Sequence, residues 1–170
     1  MIAFSILMIL PLCLALAAVS DLFTMTIPNG ISIVLIAAFL VLAPVVGLEW
    51  PFIGMSLVAG LVVFLGCFGL FAMNIMGGGD AKLLTATSLW FGFNMPLVEF
   101  LVVVSFMGGM ITLLVLFLRA KATTVLAMGV PLPASLVTEN KIPYGIAIAI
   151  GGFATYEQAP IIQIAMRSLY

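Results

Sequence analysis

"VEFLVVVSFMGGMITLLVLFL", residues 98–118, carries one charged side chain, Glu99, and no alternation of polar and apolar residues. A strand of a membrane barrel would alternate, whereas a helix crossing a bilayer needs about 20 continuous, mostly apolar residues. The bilayer core offers the backbone no water, so a run of this kind satisfies its own N–H and C=O groups as a helix. Working outward, similar runs cover about 2–20, 31–48, 53–73, 81–93 and 142–156. The expected fold is all-α: a polytopic membrane helical bundle with about six transmembrane helices. Composition agrees, with 65% hydrophobic and 6% charged residues and a mean hydropathy of +1.43, which excludes an ordinary soluble domain. Residues 1–170 read as a single transmembrane domain without repeats or a separate soluble domain. The first run lacks the basic flank of a secretory signal and is read as a retained span.

Lys and Arg concentrate on the cytoplasmic side of membrane proteins. Threading the runs alternately gathers Lys82, Arg119, Lys121 and Lys141 on one side and leaves Arg167 opposite. That side is therefore cytoplasmic, and both termini lie outside. The chain has two aspartates, Asp21 and Asp80, and no histidine. Both aspartates fall at cytoplasmic ends of spans, so the two acids can meet.

Each acid has a structural reading and a chemical one. Asp80 follows Gly77, Gly78 and Gly79 and precedes a helix expected from Ala81, where an aspartate caps the N-terminus and complements the dipole. Asp21 sits at a helix C-terminus, the unfavourable end for an anion, and an ionisable group at membrane depth is a functional candidate. Two neighbouring carboxylates cannot both ionise cheaply, so they share a proton and can act as base and acid on water and a carbonyl. The helix ends predict a lowered pKa for Asp80 and a raised one for Asp21, making Asp80 the carboxylate and Asp21 the acid.

Three stretches, "DLFTMTIPNG" from Asp21, "GGGDAKLL" from Gly77 and "KIPYGIAIAIGG" from Lys141, resemble the signatures of type IV prepilin peptidases, which are GxGD intramembrane aspartyl proteases. The chain is similar to the short form associated with Flp-type tight-adherence pili. The resemblance implies that Asp21 and Asp80 are catalytic, with Gly77 and Gly79 as motif glycines and Gly78 as the variable position. It also implies a prepilin substrate, cut at the cytoplasmic face of the bacterial inner membrane just after the glycine that precedes the pilin's apolar segment. Phe23 and Met25 stand where the family usually has basic residues. The connection 21–30 is too short for the cysteine-bearing insert of the larger members that also N-methylate pilins.

The remaining features are read more plainly. Lys82 either snorkels to headgroups or balances the dyad's charge. Pro28 and Asn29 turn the chain into the second span, and Pro143, Tyr144 and Gly145 open the last one; Tyr144 anchors at the interface or lines the site. Cys13 and Cys67 lie within spans without CxxC spacing, as buried thiols. No metal, cofactor or nucleic-acid partner is expected. The partners implied are the bilayer, the prepilin and pilus assembly or secretion machinery. The stretch 119–141 is read as an interfacial segment. Two other classes fit paired membrane acids: a proton-coupled transporter, and a non-catalytic assembly protein that keeps the fold as a surface.

Overall fold

The protein is described here by a computed structural model covering residues 2–121 and 142–168. Its described residues form seven α-helices and one short 3-10 turn, without strands. They are α1 (Ile2–Thr24), α2 (Asn29–Val45), α3 (Trp50–Ala72), α4 (Gly78–Phe91), α5 (Met95–Ala120), α6 (Tyr144–Ala154) and α7 (Pro160–Arg167), with the turn Tyr156–Gln158 before α7. The expected helical membrane bundle is present. The runs expected to be short, 81–93 and 142–156, are short helices here, Gly78–Phe91 and Tyr144–Ala154. Three stretches, Ile6–Thr24, Trp50–Ala72 and Met95–Ala120, are long and apolar enough to cross a membrane, while Asn29–Val45 and Tyr144–Ala154 are shorter apolar helices. The interfacial reading of 119–141 falls largely outside the described residues, beyond Lys121.

The short α4 is the centre of the bundle. It packs against α3, α2 and α6, and Leu83, Ala86, Thr87, Ser88, Trp90 and Phe91 are buried on it. Its hydroxyls do not need outside partners, since Thr85, Thr87 and Ser88 bond back to carbonyls of the preceding turn. Trp90, with no exposed surface, donates its indole N–H to the Leu35 carbonyl of α2. A buried indole needs such a partner, and the bond ties the far end of α4 to α2.

Around this centre the outer faces of α1, α2, α3 and α5 present Leu, Val, Phe and Met to the surroundings. That is the pattern of helices solvated by lipid on one side and by one another on the other.

Helix α7 is absent from the expected elements. Its eight residues, PIIQIAMR, bury Ile161, Ile162 and Ala165 and start with a proline, which suits the first helical position. It packs on α1 and α4. Tyr156, just before it, donates a hydrogen bond to the Leu7 carbonyl of α1. This end of the molecule is opposite the one that holds the aspartates.

Candidate active site

At the aspartate end, α1 runs past the expected boundary and includes Asp21 in its last turn. The link to α2 is held by its own hydroxyls. Ser20 Oγ donates to the Thr26 carbonyl at 2.8 Å, and Thr24 Oγ1 lies 2.7 Å from Thr26 Oγ1. Met25 closes the helix in the left-handed region, φ 50°, with its N–H on the Asp21 carbonyl at 2.9 Å. Such a conformation is strained for a residue with a side chain. It swings the chain so that Pro28 leads into α2 at Asn29, as expected of those two residues.

Asp21 itself is buried, with 5% of its surface exposed. Its Oδ2 accepts the backbone N–H of Gly145 at 2.7 Å. Gly145 is the second residue of α6, so the carboxylate lies on the positive end of a different helix, where free N–H groups favour an anion. The unfavourable α1 terminus read from sequence is thus answered by α6. Gly145 must be small there: a Cβ would stand 2.9 Å from Asp21 Oδ2 and 3.0 Å from both the Asp21 Cβ and the Ile27 Cδ1. Pro143 precedes the helix as its N-cap residue. The ring of Tyr144 lies over Gly108 of α5, where a Cβ would meet it at 2.5 Å.

Asp80 is not the N-cap. Helix α4 begins at Gly78 with Gly77 in the cap position, which puts Asp80 third in the helix. From there its carboxylate reaches back to the Gly77 backbone N–H, the half of a capping box that a third-position acid supplies. None of the three motif glycines has a positive φ; close approach, not backbone freedom, explains them. A Cβ on Gly77 would stand 2.7 Å from Asp80 Oδ2, and one on Gly79 would stand 3.2 Å from the Ile27 Cβ and 3.5 Å from its backbone N. At Gly78 the obstacle would be the Phe71 ring, a side chain. Gly79 therefore lets the α1–α2 link lie directly on the first turn of α4.

The two acids share one cavity of about 830 Å³. Its wall includes Asn29 and Ile27 from the link, Phe71 and Asn74 from the end of α3, the three glycines, Thr112 of α5 and Tyr144. Asp80's carboxyl is pushed up to about 7, first by burial and then by the charge of Asp21, while the Gly77 hydrogen bond pulls the other way. The lowered value expected from the helix terminus is overturned, because desolvation outweighs the local dipole.

Lys82 has a partner that neither of its expected roles named. It is exposed, yet its Nζ donates to Asn29 Oδ1 at 2.9 Å, and the charge acting on Asp80 is that of Asp21. The bond ties α4 to the start of α2. Glu49, Glu99 and Glu157 are exposed on elements at the opposite end. Cys13 and Cys67 are buried free thiols.

Sequence reasoning missed Ile27, Met25, Thr112 and the Ser20–Thr24–Thr26 hydroxyls. The spacing of hydroxyls around Asp21 was a signal for the last group. Thr112, set in an apolar run, offered none.

No curated protein and no solved structure matches the chain. A family model does, that of the type IV leader peptidase family, over residues 8–113. The matched stretch is more than half of the chain and contains both Asp21 and Asp80. On the strength of that match, the chain belongs to the type IV leader peptidase family.

Proposed function

We propose that the protein is a membrane-embedded aspartic endopeptidase that removes the leader of Flp-type prepilins at the cytoplasmic face of the bacterial inner membrane. Family membership supports peptidase chemistry. The observation that carries the aspartic mechanism is the meeting of Asp21 and Asp80, distant in sequence, on one cavity where the charge of one raises the pKa of the other.

Asp80, protonated up to about pH 7, is the acid. Asp21, held as an acceptor by Gly145, is the base. A water between them gives one proton to Asp21 as its oxygen attacks the scissile carbonyl carbon, and Asp80 protonates the carbonyl oxygen. In the resulting gem-diol, Asp21 passes its proton to the amide nitrogen as the C–N bond breaks. Asp80 takes a proton back from a diol hydroxyl, which leaves a carboxylic acid and restores a singly protonated dyad.

Co-expression with a Flp-type prepilin tests this. Wild type is expected to shorten the prepilin on a gel, while Asp21→Asn and Asp80→Asn each leave it full length at normal enzyme level. Processing by both single variants at the wild-type rate would sink the dyad. A proton transporter or a purely structural pilus component would leave the leader uncut by wild type as well.

A further inference from the structure

Beside the catalytic cavity lies a second depression, of about 400 Å³, that the proposed chemistry does not use. Helix α4 packs on both α2 and α3, yet those two barely touch each other. So α4 is the floor of a groove and its neighbours are the walls. Ile33 and Ile36 of α2, Phe64 of α3 and Thr85 of α4 line it, with Asn29 and Lys82 also on it. Ile33 is 63% exposed and Phe64 41%, so the groove opens sideways. Asn29 to Ile36 spans about 10 Å at the helical rise. The groove therefore runs from the Asn29–Lys82 bond into the apolar zone.

Asn29 also lines the catalytic cavity, so the two spaces lie side by side with that residue in the wall of both. We propose that this groove docks the apolar helix of the substrate, the segment that follows the scissile bond. The inference rests on the peptidase reading above. The bond to be cut must lie extended against Asp21 and Asp80, while the apolar residues that follow it stay at membrane depth. An apolar channel beginning at the cavity's own wall meets both demands. Between helices in lipid, close packing rather than water exclusion drives association, and the sparsely covered side chains of Ile33 and Phe64 supply such a surface. The Asn29–Lys82 bond is the sill at which the substrate changes from helix to extended strand.

Photoreactive benzoylphenylalanine tests this in the full chain carrying Asp80→Asn, co-expressed with a Flp-type prepilin. It is placed in turn at the groove positions Ile33 and Phe64 and at Leu113 and Phe117 on the exposed face of α5. Prepilin adducts are expected from the two groove positions and not from α5. Adducts from α5, or from the groove to phospholipid alone, would overturn the docking site. Separately, Ile33→Trp in the active enzyme is expected to raise KM for full-length prepilin about tenfold, equivalent to ~1.4 kcal/mol, while Leu113→Trp changes nothing. Unchanged KM in Ile33→Trp would also overturn it. Wild-type cleavage of the same prepilin separates the two ideas: cleavage without groove adducts removes the groove alone, and absence of cleavage removes the peptidase reading.

Discussion

Asp21 and Gly145 form a unit: a carboxylate from one helix end sits on the N–H of another at 2.7 Å. A methyl at Gly145 would intrude to 2.9 Å from the accepting oxygen. Displacing a catalytic group by about 1 Å costs on the order of 100-fold in rate. Gly145→Ala is therefore expected to lower kcat about 100-fold while the protein still accumulates in the membrane, as measured by leader removal against enzyme level. Asp80 makes a pH claim. As the proposed acid it must be protonated, so kcat/KM should fall as pH rises through about 7. Stability follows the same sign. The folded value lies above the ordinary 3.8, so the contribution of Asp80 is fully present below pH 3.8 and is lost as pH rises through about 7. Asp80→Asn, which cannot ionise, should melt above wild type at pH 8, with the gap closing towards pH 4. A gap that does not change with pH would count against the raised value.

Among the elements, the decisive contacts are glycine seams. Helices α5 and α6 approach so closely at Gly151 that a Cβ would meet Val104 Cγ2 at 2.4 Å and the Val104 backbone N at 3.2 Å. Backbone cannot yield as a side chain can. Gly151→Ala is expected to destabilise the protein by about 1–3 kcal/mol, lowering its melting temperature by ~2–12 °C at ~2–4 °C per kcal/mol. Gly109, on the same α5 but with nothing within 4 Å of a Cβ, should tolerate alanine without loss, and detergent-phase thermal unfolding of the two variants makes the comparison. The seam bears on function as well as stability. It holds α6, whose first turn carries both Tyr144 of the cavity wall and the Gly145 donor.

At the scale of the molecule, the helices place their ends in two groups. The ends of α1, α3 and α5 share one side with the starts of α2, α4 and α6, and that side carries Asp21, at the end of α1, and Asp80, at the start of α4. The starts of α3 and α5 share the other side with α7. The proposed orientation makes the dyad side cytoplasmic. In a Cys13→Ala, Cys67→Ala background, an impermeant maleimide should reach a cysteine at Met73 from the cytoplasm only. Cysteines at Trp50 and Met95 should react from the outside only. All three positions are well exposed, at 69%, 75% and 69%. Reversed labelling would invert the topology.

Composition and uninterrupted apolar runs determined by themselves that this protein is a helical bundle for a membrane, because a backbone without water has few other ways to bond its own groups. The spacing of Asp21 and Asp80 against those runs was enough to bring them to one side, and Pro28 with Asn29 marked the turn into α2, which starts at Asn29, two residues before the expected run at 31. Tertiary structure alone decided what each acid feels. Asp21's partner, Gly145, lies on a helix far away in sequence. Asp80's raised pKa comes from burial and a neighbouring charge, neither of which its place in "GGGDAKLL" contains. The brief, amphipathic α7 and the groove over α4 belong to the same class. They arise from which helix faces are left covered or open when the bundle closes, and that is a property of packing between segments rather than of any one of them.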